Sequence, residues 1–300
     1  MKRLKEQIAE LKTKRNAVII AHNYVVGEVQ DIADFVGDSL ELSIKAKNSG
    51  APVIVFCGVS FMAETAKILS PASTVLHPEP SAGCPMADMV TEKAVRAYRH
   101  QHPEAVIVAY VNTTAAVKAE VDICCTSGNA EQIIRSIPED KHILFLPDQN
   151  LGANINRATG REMELWPGYC PTHHLIQPEA VRSIRAQYPD AVMLVHPESP
   201  PVVVELADEA LSTGGMLRYV QESDANSFII GTESGILHRL RKENPGKTFI
   251  SLEPVPMCAD MKKISLERIA DSLEFMQYEV VLDAGLMDRA RLPIERMLSR

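Results

Sequence analysis

Short runs rich in valine and isoleucine recur along the whole chain, with stretches of helical periodicity between them. "AVIIAH" (17–22), "PVIVFCG" (52–58), "AVIVAYV" (105–111), "KHILFLPD" (141–148), "AVMLVHPE" (191–198) and "SFIIGTE" (227–233) are apolar at consecutive positions, not alternate ones. A strand is apolar on both faces when both are covered, so these runs predict parallel strands lying between layers of helices. The fold class that follows is α/β, built from three-layer αβα units with parallel sheets.

The pattern also repeats. "ADFVGDS" (33–39), "VDICCTS" (121–127) and "ADEALST" (207–213) align without gaps, each placing an Asp five residues before a Ser or Thr. Ser39, Ser127 and Thr213 are 88 and 86 residues apart, and so are the strand-end residues His22, Tyr110 and His196. Cys84, Cys170 and Cys258 follow at intervals of 86 and 88. Three landmarks sharing one period predict three similar units, 1–86, 87–171 and 172–258, set around a pseudo-threefold axis. Each unit reads strand, helix, short strand, helix, strand, helix, strand, cysteine, helix. The tail, 259–300, offers a helix ("SLERIADSLEFM"), a strand ("YEVVL") and a closing helix, all expected to pack on the first unit.

Composition narrows the class of function. Hydrophobic residues make up 46% of the 300 and charged residues 23%, the balance of a globular chain. The 31 basic residues against 39 acidic ones give a net charge of −8, with no basic cluster longer than "KTKR" (12–15), which argues against nucleic acid as a partner. No apolar run reaches the ~20 residues of a membrane span, and Met1–Arg15 reads as a charged helix and not as a signal peptide. The expected location is the cytoplasm, where six cysteines are packing residues, nucleophiles or metal ligands in preference to disulfides.

Cys57, Cys124 and Cys125 fall inside predicted strands and read as core. Cys84, Cys170 and Cys258 lie past strand ends, where open α/β sheets bind ligands, and threefold symmetry brings them together near the axis. Three readings stay open for them: a [4Fe–4S] cluster with one iron free, a zinc ion with a water in fourth place, or simple packing. Ser39, Ser127 and Thr213 each precede a predicted helix, as N-caps or as hydroxyls of an anion site. His22 with Tyr24, Tyr110 with Asn112, and His196 with Glu198 are i, i+2 pairs on one face of an extended chain. His196 with Glu198 reads as an oriented imidazole, and Tyr24 beside His22 as a phenol made more acidic for proton transfer; the plainer reading is hydrogen-bonded rim residues.

Taken in order, "AHNY…DIADFVGDSLEL", "FMAETAKIL", "AGCPMADM", "AYVNTTAAVKAEVDICCTSGNA", "FLPDQNLG", "HPE", "STGGM" and "CADMK" resemble the quinolinate synthase family over nearly the whole chain. The resemblance implies three similar domains around a pseudo-threefold axis and a [4Fe–4S] cluster on Cys84, Cys170 and Cys258 with an open iron. It implies condensation of iminoaspartate (iminosuccinate) with dihydroxyacetone phosphate to quinolinate, losing phosphate and two waters, in NAD biosynthesis. A transient contact with the enzyme that supplies iminoaspartate belongs to the same expectation. The substrate-contact positions carried over are His22, Ser39, Tyr110, Asn112, Ser127, His173, His196, Glu198 and Thr213, with Tyr24 as the acid/base tyrosine and His22, His196 and Glu198 assisting it. His174 is expected to face away, and the second "HPE" at His77–Glu79 is given no role. Three departures stand out: Ser199 where many relatives have cysteine, Leu211 where glycine is common, and Val25-Val26-Gly27 in a loop that often holds glutamine. Two other functions fit an open iron or a cluster in outline: an aconitase-like hydro-lyase without a triose phosphate, and an electron carrier, which needs a fourth thiolate.

Overall fold

The computed structural model describes residues 2–299; Met1, the start of the expected first helix, lies outside them. Twelve strands among these residues form three four-stranded parallel sheets. The first sheet contains β1 (Ala17–His22), β2 (Phe35–Gly37), β3 (Val53–Cys57) and β4 (Thr74–Leu76). The second contains β5 (Val106–Tyr110), β6 (Ile123–Cys125), β7 (Ile143–Leu146) and β8 (Glu164–Leu165). The third contains β9 (Val192–Val195), β10 (Glu209–Ala210), β11 (Ser227–Gly231) and β12 (Thr248–Ser251). All three share one strand order, β2-β1-β3-β4 in the first, with helices in the crossovers. The central strands are buried along nearly their full length, as consecutive apolar runs require.

The aspartate of each repeat is structural. Asp34 Oδ2 accepts the Ile19 N–H at 2.8 Å, Asp122 Oδ2 that of Ile107 at 2.7 Å, and Asp208 Oδ2 that of Met193 at 2.7 Å. Each aspartate's own N–H returns to the carbonyl of the same residue. A basic side chain from the helix preceding each sheet completes the set: Lys12 at 2.7 Å, Arg99 at 2.6 Å and Arg185 at 2.9 Å. These contacts lock the second strand of each sheet to the first.

The units join head to tail and close a ring. The helix Ser60–Leu69 meets the loop after β5, where Glu64 Oε2 accepts the Ala115 N–H at 2.7 Å. The helix Gln149–Thr159 meets the loop after β9, where Asn150 Nδ2 donates to the Glu198 carbonyl and Asn154 Nδ2 to those of Pro197 and Ser199. The helix Ile236–Glu243 meets the loop after β1, with Arg239 donating to Asn23 Oδ1 and the Val36 carbonyl. Gly235, which precedes this last helix, has no room for a side chain: a Cβ would lie 2.6–2.7 Å from the Tyr24 backbone. The apolar core crosses the unit boundaries, since residues of β1 and β3 share one cluster with Phe228 and Ile230 of β11.

The tail departs from expectation in two places. The helix Leu266–Phe275, capped by Ser265, packs on the N-terminal helix Lys2–Arg15, to which Arg15 adds bonds to the Leu273 and Glu274 carbonyls. The closing helix Ala284–Leu298 instead buries Ala290, Ile294 and Met297 in the core of the second sheet, and Arg296 holds the Asp122 carbonyl. "YEVVL" is not a strand; it makes a single antiparallel bridge, Glu279 to Leu76. Its partner β4 is only three residues long, and Val281 is 80% exposed, so no second face holds the segment flat.

Candidate functional site

In each sheet the connection turns one way from the first strand to the second, then passes to the other side for the third. That reversal leaves a crevice beyond the carboxyl ends of the first and third strands. The three crevices open into one cavity of about 440 Å³. Its lining includes His22, Tyr24, Ser39, Cys84, Tyr110, Asn112, Ser127, Cys170, His173, His196, Glu198, Thr213 and Cys258, every site residue expected from the sequence. Neither lysine nor arginine is among the described residues that line it. His174 and Ser199 are outside it: His174 stacks on Tyr169 and bonds Asn150, and Ser199 is fully buried elsewhere.

Ser39, Ser127 and Thr213 are not the helix caps. In two units the residue before does that work, Asp38 accepting from Leu40 and Glu41 N–H and Ser212 from Gly215 N–H. In the second, Thr126 accepts the Gly128 N–H in the turn ahead of the helix Ala130–Arg135, whose N-cap Asn129 makes no side-chain capping bond. None of the three hydroxyls closes a helix end and all three residues border the cavity, where the Thr213 hydroxyl turns to Tyr24.

The two strand-end histidines have a fixed tautomer. The Tyr24 N–H donates to His22 Nδ1 at 3.2 Å, and the Glu198 N–H donates to His196 Nδ1 at 3.3 Å. Each ring therefore carries its proton on Nε2. Burial lowers both to about 3, so they are neutral N–H donors at ordinary pH. The expected His196–Glu198 partnership is thus made by the backbone. The Glu198 carboxylate pairs with His173 Nδ1 at 2.7 Å and stands 3.6 Å from His196 Nδ1. Burial works to raise Glu198, but His196, His173 and Tyr110 outweigh it and hold the carboxyl below its usual range. Asn112 Nδ2 reaches Glu198 Oε1 at 3.5 Å, and Asn112 Oδ1 is buried without a partner.

Tyr24 also differs from expectation. Its ring meets His22 edge-on at 4.6 Å, but its hydroxyl bonds Thr232 Oγ1 at 2.6 Å and Thr213 Oγ1 at 3.2 Å. Burial drives the phenol well above its ordinary value, with the two threonines acting against it, so Tyr24 is less acidic than a free tyrosine. Thr232 then links onward to His173 Nε2 at 2.8 Å. This gives a continuous row of polar atoms, Thr213–Tyr24–Thr232–His173–Glu198. Thr232 is a link that sequence reasoning missed; its equivalents in the other sheets are Gly58 and Pro147, so no repeat marks it.

The six cysteines, all free, divide cleanly. Cys57, Cys124 and Cys125 are 0% exposed within β3 and β6, whereas Cys84, Cys170 and Cys258 are partly exposed at the cavity. Each of the latter opens a short helical turn, Ala87–Met89, Pro171–His174 or Met261–Lys263. Burial pushes the Cys84 thiol up to about 12 and raises Cys170 and Cys258, opposed in each by backbone N–H groups two or three residues on. Cys84 is further raised by Cys258, and Cys170 by Cys84. Three thiols at one cavity, with backbone amides beside each and no lysine or arginine in the lining, suit a cationic metal centre, which would supply the missing charge. Cys170 Sγ, His173 and Glu198 also place ligand atoms within 4.8 Å of one another, a spacing accounted for by His173 Nδ1 lying 3.2 Å from Cys170 Sγ and 2.7 Å from Glu198.

Comparison with known proteins adds an independent line. Residues 6–299 match the family described as quinolinate synthetase A protein. A protein named quinolinate synthase from Dehalococcoides mccartyi is 52% identical over 295 residues, 98% of this chain and 97% of that one. Proteins of the same name from a Geobacter species and from Geobacter metallireducens are 51% and 49% identical over 296 residues, each covering 99% of this chain and 97% of the relative.

Proposed function

The chain belongs to the quinolinate synthetase A protein family, an enzyme family, and from that premise we propose that it condenses iminoaspartate with dihydroxyacetone phosphate. The products are quinolinate, phosphate and two waters, formed in the cytoplasm for NAD biosynthesis. One observation carries the reading: three cysteines, one from each unit and in the same place, border the cavity into which the strand-end polar groups converge.

Cys84, Cys170 and Cys258 would hold a [4Fe–4S] cluster. When bound, such a cluster with three protein ligands has one iron open, a Lewis acid for polarising a substrate oxygen and easing loss of hydroxide. The hydroxyls of Ser39 and Ser127 and the Nε2–H groups of His22 and His196 donate to phosphate and carboxylates, and Thr213 joins them when its hydroxyl turns from Tyr24 to substrate. Tyr110 and Asn112 orient the dicarboxylate, and the unpartnered Asn112 Oδ1 is a ready acceptor for the imine N–H. Glu198, ionised, holds the His173 Nδ1–H and so leaves Nε2 to the Thr232 hydroxyl. Tyr24 keeps its proton to high pH and acts first as an acid, giving that proton to a substrate oxygen during isomerisation and ring closure.

The test is anaerobic quinolinate formation from the two substrates, wild type against Tyr24→Phe. Turnover in the variant should fall at least about a hundredfold with the fold intact. Near-normal turnover would remove Tyr24 from the chemistry, and no quinolinate from the wild type would defeat the reading as a whole.

A further inference from the structure

The residue two past the third strand of each sheet is Val59, Asp148 or Glu233. Asp148 and Glu233 are each 0% exposed, and each accepts the backbone N–H of its own unit's cavity cysteine. Asp148 Oδ2 takes that of Cys170 at 3.2 Å, and Glu233 Oε1 that of Cys258 at 3.1 Å. The first unit has valine and uses a backbone bond instead, Ser60 N–H to the Ala82 carbonyl.

Glu233 differs from Asp148 in having a cation. Lys262 Nζ lies 2.8 Å from Glu233 Oε1 and donates to the Tyr24 carbonyl at 2.6 Å. Glu233 Oε2 meanwhile accepts the N–H of Gly235, whose bare Cα abuts the Tyr24 backbone. The positions equivalent to Lys262 are Asp88 and His174, so this link exists only where the third unit meets the first. A buried carboxylate is costly without a partner, and a simple scaffold would have used an apolar side chain here, as the first unit does with Val59.

We propose that the pair of buried Glu233 and half-buried Lys262 is a positioning device that ties the loop carrying Cys258 to the backbone of Tyr24. The place of Cys258 then sets the place of the phenol across the unit boundary. The inference rests on the reading of Cys258 as a metal ligand and Tyr24 as the acid, and it makes Lys262 a positioning residue that touches neither substrate nor metal.

The experiment uses Lys262→Met and Lys262→Arg, each with and without Tyr24→Phe. Lys262→Met should lower kcat at least about tenfold with KM changed less than about threefold, since small misplacements of a catalytic group cost turnover. Lys262→Arg should restore most of it. In the Tyr24→Phe background the same Met substitution should cost less than about twofold, because residues acting through one another are not additive. Hydrogen exchange of the cluster-free protein supplies a readout apart from activity. The peptide spanning residues 252–261 should exchange at least about threefold faster in Lys262→Met, with the Cys84 peptide unchanged. An equal loss of turnover in both backgrounds, or unchanged exchange at 252–261, would overturn the proposal. A wild type that makes no quinolinate would overturn the functional reading alone, and the exchange comparison would still decide the tether.

Discussion

Asp34, Asp122 and Asp208 make the same bonds in all three units, whereas the strand ends beside them carry different side chains, with only His22 and His196 sharing one bond, to the N–H two residues on. The aspartate side chains close a local circuit between the first two strands of their own sheet and the helix that precedes it. The strand ends His22-Asn23-Tyr24, Tyr110-Val111-Asn112 and His196-Pro197-Glu198 face the shared cavity, where three copies of one side chain would serve a single asymmetric substrate poorly. Repetition therefore persists where each unit solves its own folding problem. It is lost where the units jointly solve a chemical one. The cysteines, and with them the hydroxyls of Ser39, Ser127 and Thr213, are the instructive exceptions, repeated in all three units yet at the cavity, and the cubic cluster proposed for the cysteines would itself be nearly symmetric about such an axis.

The sharpest way to break this contrast is to separate the two classes of cysteine. Replacing Cys84, Cys170 or Cys258 singly by serine should abolish the cluster, seen as loss of iron, sulfide and visible absorbance in anaerobically prepared protein. Replacing Cys57, Cys124 or Cys125 by alanine should leave the iron content unchanged and cost only packing, of the order of 1–2 kcal/mol. A Cys125 variant without iron beside a Cys258 variant that retains it would show that the period marks folding and not ligation.

A smaller effect compares a circuit of each kind. Thr232→Val keeps the buried volume but removes the hydroxyl between Tyr24 and His173, so kcat should fall at least about tenfold while Thr232→Ser recovers most of it. Asp122→Asn weakens the bonds to Arg99 and Ile107, so it should cost about 1 kcal/mol and lower the melting temperature by roughly 2–4 °C with turnover nearly unchanged. If Asp122→Asn reduced turnover as much as Thr232→Val, scaffold and site would not be separable.

Much of this division is legible in the chain. The sheets are visible because runs such as "PVIVFCG" are buried on both faces, and the units because the Asp-to-hydroxyl spacing recurs. The cavity set follows from that period and from the family resemblance together. Thr232 and Lys262 stay hidden because their partners lie 29 to 238 residues away and neither has a repeated counterpart, whereas Asp148 and Glu233 share one role that Val59 in the first unit conceals. The acidity expected of Tyr24 fails for a related reason, because proximity to His22 in sequence does not reveal a burial that dominates both groups. "YEVVL" has the composition of a strand but no length of edge to pair with.

The mildest test concerns one position where two units meet the same need differently. Gln30 and Lys118 each end the short helix after the first strand and bond carbonyls of the preceding loop, Gln30 to those of Asn23 and Val25 and Lys118 to that of Thr113. Gln30 is neutral, whereas Lys118 carries an ammonium into a fully buried site above the Phe61 ring. Burial lowers Lys118 to about 8, with Cys124 and Glu64 opposing the shift. Below pH 8 the folded and unfolded states both hold the proton, and the folded state bears the whole cost of the buried charge, at most roughly 3 kcal/mol. Between pH 8 and the ordinary lysine value the folded state releases its proton first, so this cost is relieved and stability rises with pH. Lys118→Met has no such proton. Its melting temperature relative to wild type should therefore be highest near pH 7 and decline steadily toward pH 10, measured on cluster-free protein. Parallel melting curves across that range would show that Lys118 is paid for by its neighbours and is no weaker a solution than Gln30.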